Sequence, residues 1–495
     1  MTSEPVPPNG GATSEIAGRF GLRRFAQSAG VLSLNSLVGF ARAVITAKLF
    51  AVTLGPSAVG ILAQLLNFSA FVSVIIPLGL TTGVAKMVAE KRQAPRDVSR
   101  IVSTASILAF ASALATAILL APFAGRISET LTGSSRYGVL VLLIVASFPL
   151  YNLAGVLSYV LQGLAEVRRL TRANIITAGL SMLLLVPLTI AYGLAGAMAA
   201  VLATSFVQAG IFSWMLLSAY AARAWKFADI RLDRGTAREL LAYGGVILVG
   251  GIVLWGSVLG VRTLTVRVLG ESANGMYQVV FGLSSQYITM FMTWMSAYVF
   301  PRVVSERHRG KLGELLNSGL RANLAIMVPI LVVVVALRDP LIRIFYSPAF
   351  SAASPLIPIQ VLGDYARILG WSFAVCLFAI GRTRSHLAVV ATQSLAWLLL
   401  AAVLVPVWGL SAVPISYAIS FLAYPLVGIA LVRQWSGAAP DLKSVLLAAL
   451  GLVCVVGSVA PFYTGLLLAP LVPAAVYLLN RHELRAAHNP ATPIK

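Results

Sequence analysis

Apolar runs of roughly 20 residues recur along almost the whole chain, separated by short polar turns, which is the length a helix needs to cross about 30 Å of hydrocarbon. A strand crossing a membrane would alternate polar and apolar at every second residue, and no such alternation appears. With 59% hydrophobic and only 11% charged residues over 495 positions, several soluble domains are excluded. The expected fold class is therefore all-α, a polytopic membrane protein.

Twelve spans are read in two sets of six. The first set covers 27–49, 58–84, 101–123, 138–162, 173–192 and 195–220; the second covers 243–268, 275–300, 319–337, 355–381, 386–407 and 410–432. Two further runs, 444–461 and 462–480, are parted only by Ala460 and Pro461 and form an extra hydrophobic hairpin within 433–480, as two full spans or as a re-entrant pair. Fourteen helices are expected in all. Residues 1–26 are polar and rich in Pro, Gly and Ser, and are expected to be a disordered cytoplasmic tail; 481–495 is a second tail.

Of the 37 Lys and Arg residues, 28 lie in alternate connections and only Arg126, Arg136, Arg338 and Arg343 in the opposite ones. The positive-inside rule then places both termini in the cytoplasm. The net charge of +21 is thus mainly a topology signal, spread over short loops and not gathered into a domain for nucleic acid. Cys376 and Cys454 both fall in apolar spans, where a buried small hydrophobe is the expected role. His308, His386, His482 and His488 have no zinc-like spacing, so neither metal nor cofactor is expected.

The two sets of spans look like copies. Leu54-Gly55-Pro56-Ser57-Ala58-Val59-Gly60 is echoed by Leu269-Gly270-Glu271-Ser272-Ala273-Asn274-Gly275, 215 residues later. Lys86, Val88, Glu90 and Lys91 match Arg302, Val304, Glu306 and Arg307, and Tyr192-Gly193-Leu194 matches Trp408-Gly409-Leu410, both at 216. Six spans per copy give a parallel repeat about an axis along the membrane normal, with lobes 27–220 and 243–432 joined by the cytoplasmic linker 221–242.

The five remaining cations are inside or at the rim of the spans. A cation in hydrocarbon is expensive and is expected to face a wet interior. Arg42 lies in the outer half of the first helix with Asn35 on the same face, and Arg262 at similar depth on the seventh, where the two are placed to face each other across the cleft. Lys48 and Arg267 are nearer the outer ends, where they either join the site or snorkel to headgroups. On the tenth helix Gln360, Asp364, Arg367 and Trp371 form one stripe at i, i+4, i+7 and i+11. Asp364 and Arg367 can form an i, i+3 ion pair that fixes packing, or Arg367 binds an anion while Asp364 orients it or exchanges a proton. Trp255, Trp294, Trp371, Tyr277 and Tyr287 are candidates for stacking on sugar rings, against the commoner roles at helix contacts and bilayer interfaces. No nucleophile, base and oxyanion set is evident, and no P-loop, so a transporter is expected and not an enzyme.

At AKLFAVTLGPSAVGI (47–61), GVAKMVAEKR (83–92), SAYVFPRVVSER (296–307) and QVLGDYARILGW (360–371) the chain resembles the Wzx-type polysaccharide flippases of the multidrug/oligosaccharidyl-lipid/polysaccharide exporter superfamily. Within them it looks most like the lipid III type of enterobacterial common antigen synthesis, over about residues 27–432. The resemblance implies two six-helix lobes around a cationic cavity in the bacterial inner membrane. It also implies transfer of an undecaprenyl-pyrophosphate-linked glycan, lipid III or an O-antigen-like unit of lipopolysaccharide, from the cytoplasmic to the periplasmic leaflet, with membrane lipids, a polysaccharide polymerase and chain-length proteins as partners. Lys48, Lys86 and Asp364 match positions that are basic, basic and acidic in the lipid III type. Arg42 and Arg367 stand where lysines are expected there, which turns point-charge contacts into bidentate ones. The extra hairpin departs from twelve-helix relatives and is similar to the fourteen-helix lipid II flippases, the alternative reading. A drug/cation antiporter is disfavoured by the single clear intramembrane carboxylate, and a glycosyl ligase or polymerase by the lack of a long outer loop.

Overall fold

The computed structural model describes residues 38–76, 80–223, 231–306, 312–459 and 462–488. Among them the regular structure is helical throughout, in agreement with the expected class. Asn35, the 1–26 tail, His308 and residues 224–230 of the linker lie outside the described residues.

In chain order the helices are α1 (38–53), α2 (Gly55–Ile75), α3 (Leu80–Glu90), α4 (Pro95–Leu120), α5 (Ala124–Thr132), α6 (Gly138–Gly163), α7 (Val167–Ala222), α8 (Arg234–Leu269) and α9 (Glu271–Trp294). They continue as α10 (Phe300–Glu306), α11 (Leu312–Ala336), α12 (Arg338–Phe345), α13 (Leu356–Ala379), α14 (Thr383–Trp408), α15 (Ala412–Ser436), α16 (Leu442–Gly457), α17 (Phe462–Leu467) and α18 (Leu471–His488). Eight described stretches are long and apolar enough to cross a membrane. Two of these, Val167–Ala222 and Thr383–Ser436, are 56 and 54 residues long and so exceed one crossing about twofold. α7 turns at Gly193, whose φ of 56° and ψ of −131° are non-helical. α16 and the apolar stretch Gly465–Leu479, which runs from the end of α17 into α18, are shorter.

The backbone repeats the sequence duplication. Left-handed φ occurs at Gly55 and Gly270, at Ala165 and Gly381, and at Gly193 and Gly409, pairs separated by 215 or 216 residues. The middle pair closes two helices with the same Schellman cap, which supplies donors for the orphan carbonyls of a helix end. In one, Ala165 and Glu166 N–H donate to Gln162 and Leu161; in the other, Gly381 and Arg382 N–H donate to Phe378 and Leu377. Each repeat also inserts a short amphipathic helix after its third span, α5 in the first and α12 in the second.

The two copies meet at the end of the bundle that carries α5 and α12. There α2 crosses α9, and the final glycines of the duplicated motif face each other's backbone: a Cβ on Gly60 would lie 2.0 Å from the Glu271 carbonyl, and one on Gly275 would lie 1.9 Å from the Pro56 carbonyl. These contacts are reciprocal at the same 215-residue offset, so the pseudo-two-fold axis passes between them. At the other end α3 packs on α4, α6 and α8, whereas α10 packs on α11 and α13. Among the described residues α8 bridges the lobes there, through buried Leu240 and, just before its first turn, a hydrogen bond from Asp233 N–H to Thr104.

α16 and α18 dock on α11, and α16 also on α13. Asp441 caps α16 by accepting from Ser444 N–H at 2.8 Å, and the same carboxylate pairs with Arg321 of α11. Partial burial pushes its pKa up, but the Ser444 hydroxyl and N–H and the Arg321 charge outweigh that and hold it below the usual carboxylate value. Asn317 adds a hydrogen bond to the Ala439 carbonyl. The extra hairpin is therefore tied to the second lobe at its first turn.

Candidate functional site

The stripe on α13 points into the second lobe, not onto its surface. Gly363 and Gly370 are the reason α13 and α15 approach so closely: a Cβ would stand 2.5 Å from the Tyr417 ring at the first and 1.9 Å from the Tyr424 ring at the second. This brings the Tyr417 hydroxyl over Asp364. The carboxylate is fully buried and accepts from Tyr417 at 2.7 Å on Oδ1, and from Ser284 at 2.6 Å and Tyr287 on Oδ2. Three hydroxyls from α9 and α15 thus replace its hydration shell, the condition under which a buried charge is tolerated.

Asp364 and Arg367 do not form the direct ion pair their i, i+3 spacing allows. Arg367 Nη1 donates to Tyr417 Oη at 3.1 Å, and that hydroxyl donates onward to Asp364, so the two charges communicate through a tyrosine. The guanidinium also sits 5.5 Å from the Phe421 ring, and its Nε has no partner. Gln360 accepts from Tyr277 Oη at 3.2 Å. Trp371 packs edge-on against the buried His386. Tyr277 and Tyr287 are buried and committed to these hydrogen bonds, which removes them from sugar stacking.

The other cations separate into three situations. Arg42 is exposed, on the face of α1 opposite Ala47 and Ala51, with no hydrogen-bond partner among the described residues. Arg262 is 0% exposed and does not face Arg42: its Nη1 donates to Asn274 Oδ1 at 3.3 Å, and the guanidinium lies 4.7 Å from the Phe281 ring and 5.4 Å from the Tyr277 ring. Lys48 and Arg267 do something neither the snorkelling nor the ligand reading includes. Lys48 Nζ donates to the Arg343 carbonyl of α12 at 2.9 Å, and Arg267 Nε donates to the Thr130 carbonyl of α5 at 3.1 Å. In each case the helix beginning one lobe reaches a last-turn carbonyl of the other lobe's short helix, where unpaired carbonyls and the helix dipole favour a cation. Arg136 and Glu271 add a cross-lobe pair at 3.4 Å at the same end. Lys86 is exposed and lies 3.8 Å from Glu90.

Ser284, Tyr417 and Tyr424 complete the cluster and were not singled out by pattern. Their one sequence signal is that each lies on an otherwise apolar helix face, a weak signal because hydroxyl side chains are common in membrane helices. Among the described residues no three His, Cys, Asp or Glu side chains come together.

The fold is shared with solved transporters of low sequence identity. The lipid II flippase MurJ in an inward closed conformation superposes with a TM-score of 0.71 at 15% identity, over 93% of this chain and 100% of that one. A multidrug resistance MATE family transporter of the MOP superfamily, inward-facing, gives 0.70 at 15% identity over 81% and 94%. Two curated relatives, the lipid III flippases of Escherichia coli (strain K12) and Shigella flexneri, are each 23% identical over 394 residues, 79% of this chain and 94% of theirs. The sequence profile of one family, described as polysaccharide biosynthesis protein, matches residues 49–355, more than half of the sequence, and the chain belongs to that family.

Proposed function

We propose that the chain is a flippase for an undecaprenyl-pyrophosphate-linked oligosaccharide, moving the headgroup from the cytoplasmic to the periplasmic leaflet of the bacterial inner membrane by alternating access. The observation that carries this reading is the match to two lipid III flippases over 94% of their length. Transport is a matter of exposing one site to two sides and needs no covalent step by the protein. In this reading both termini are cytoplasmic, 27–220 and 243–432 are the rocking lobes, 221–242 is their linker, and 433–480 is an added hairpin on the second lobe.

Arg42 and Arg367 are the proposed phosphate contacts. Each retains guanidinium donors that the protein does not use, on α1 and on α13 respectively. Asp364, held by three hydroxyls, fixes Tyr417 and through it Arg367, so its task is to aim the cation and not to touch the anion. Gln360 supports the same stripe through Tyr277, and Asn35 is proposed for the site from the sequence alone. A polymerase and chain-length proteins would receive the glycan on the far side.

In membranes with the protein present at normal levels, Arg42→Ala and Arg367→Ala are each expected to lower translocation of the lipid-linked glycan at least 10-fold. Full translocation by both variants would remove them from the mechanism. The lipid II alternative draws on the hairpin and on the MurJ-like coverage of 93% of the chain. Deleting the gene and identifying the lipid-linked intermediate that accumulates on the inner leaflet separates the two.

A further inference from the structure

Arg262 is among the largest fully buried side chains of the described residues, and its charge is poorly compensated. A guanidinium has five N–H donors. One nitrogen, Nη1, meets Asn274, while Nε and Nη2 have no hydrogen-bond partner. Two aromatic faces offer partial compensation by cation–π attraction. No carboxylate pairs with it among the described residues, so the sealed state carries a buried cation that is only partly compensated, which is costly in protein and in membrane alike.

Its position explains what hides it. Asn274, the residue Arg262 leans on, donates from Nδ2 across the lobe boundary to the Gly60 carbonyl at 2.7 Å. One residue from each, Thr263 accepts from Gln64 of α2 at 2.6 Å, and Gly275 sits against Pro56. Arg262 therefore lies under α9 where α9 meets α2, and the lobes are also joined at this end by the two reciprocal latches, Lys48 on α12 and Arg267 on α5. Parting α2 from α9 breaks the Asn274 bond to Gly60 and uncovers donors that have no acceptor in the closed form.

We propose that Arg262 is a concealed anion site, closed while α2 and α9 are crossed and opened to a phosphate or pyrophosphate group when the lobes part at the α5/α12 end. An anion fits the chemistry, because the unpartnered guanidinium nitrogens Nε and Nη2 are both donors. The inference deepens the transporter reading by adding a state-dependent contact to the headgroup path, and it rests on that reading only for the identity of the anion. In the closed form Arg262 and the headgroup cannot meet; in the open form the anion would hold the joint apart until it leaves.

The test uses the full-length protein in detergent and inorganic pyrophosphate as the probe, with sulfate at equal ionic strength as the control. Gly60→Ala places a methyl where the Glu271 carbonyl lies and forces the crossing apart. Where that variant does not fold, Lys48→Ala with Arg267→Ala releases both latches without a clash. The opened protein is expected to bind pyrophosphate at least 10-fold more tightly than the parent, and adding Arg262→Gln returns binding to the parent level. In a background with Cys376 and Cys454 replaced by Ala, a cysteine introduced as Arg262→Cys should react with a water-soluble thiol reagent at least 10-fold faster once the crossing is opened. A gain in binding that survives Arg262→Gln, or no gain despite faster labelling, or equal labelling rates in the closed and opened forms, each overturns the proposal. Binding at the parent level belongs to Arg42 and Arg367, so its loss in their alanine variants reports on the proposed function separately.

Discussion

The two lobes share a backbone but not a core. Left-handed residues recur at 215 or 216 positions, yet the buried polar cluster is replaced in the first lobe at every position but Ser284, whose counterpart is Ser69. At the same offset Ile144 stands for Gln360, Phe148 for Asp364, Val201 for Tyr417 and Val72 for Tyr287, and all but Val201 are buried. Tyr151 takes the place of Arg367, Ala47 that of Arg262 and Val59 that of Asn274. The first lobe packs as two hydrophobic clusters, one around α3, α4 and α6 and one around α2, α5 and the start of α6, with no buried charged side chain among the described residues. The second packs as one continuous cluster threaded by hydroxyls and charges. Duplication thus preserved the turns, which backbone geometry demands, while the chemistry diverged where side chains alone decide. A transporter that rocks one lobe on another can keep its charged machinery in one half and leave the other as a plain counter-surface.

The largest expected effect tests that asymmetry directly. Asp364→Ala leaves three buried hydroxyls without their acceptor and Arg367 without its aim, and is expected to destabilise the protein by about 3–5 kcal/mol, the usual cost of breaking a buried charged network. Phe148→Ala in the first lobe falls in a similar range, about 3–5 kcal/mol, but for loss of volume. The two separate in function: at a temperature where both are folded, Asp364→Ala abolishes translocation and Phe148→Ala retains it. Equal loss of transport would mean the lobes are not chemically different.

Close packing provides the second test. Gly370 has the Tyr424 ring where its Cβ would be, whereas the matching residue of the first lobe is Ala154, already bearing a methyl. Gly370→Ala is expected to cost about 1–3 kcal/mol by overpacking, measured as a lowered melting temperature in detergent. Ala154→Gly is expected to cost about 1 kcal/mol. A Gly370→Ala variant as stable as its parent would show that α13 and α15 are not in the contact that positions Tyr417.

The spans were legible because a bilayer imposes one length and one composition on everything that crosses it, and the ends of α4, α6, α13, α14 and α15 lie within a few residues of their apolar runs. The α13 stripe was legible too, since 3.6-residue periodicity needs no tertiary knowledge. What joins the stripe was not: Ser284, Tyr287 and Tyr417 come from α9 and α15, 77 to 80 residues before Asp364 and 53 after it. The direction of Arg262 was hidden for the same reason. Depth along a helix follows from counting residues, but whether a cation at that depth meets a cleft or an aromatic wall depends on rotation about the axis. Lys48 and Arg267 show the point from the other side, because their partners are main-chain carbonyls, which leave no mark in a sequence.

The hairpin, a third region with no counterpart in the first lobe, predicts a pH effect. Asp441 has a pKa held below its ordinary value in the folded protein, so its contribution is present above the unfolded value and is lost as pH falls through the folded one. The anchoring of α16 should therefore weaken in the acid range below about pH 4. Asp441→Asn should remove that acid limb while costing about 1 kcal/mol at neutral pH through the lost charge on Arg321 and a weaker cap. The readout is protease cleavage between α15 and α16 as a function of pH; an unchanged acid limb in Asp441→Asn would place the sensitivity elsewhere.

The smallest effect sharpens the comparison of the lobes most cleanly, because it involves no side-chain chemistry. Ala165 and Gly381 occupy the same left-handed cap position, at φ of 58° and 78°, and make the same pair of cap hydrogen bonds. An L-residue pays roughly 1 kcal/mol for that conformation and glycine does not. Ala165→Gly is therefore expected to stabilise the first lobe by about 0.5–1 kcal/mol, after the entropy glycine loses on folding is subtracted. Gly381→Ala should destabilise the second by a similar amount. If the repeats are equivalent in backbone, the two changes have opposite sign and nearly equal size in the melting temperature of the intact protein. Same-sign changes would mean that the caps, alike in hydrogen bonding, are strained differently by the lobes around them.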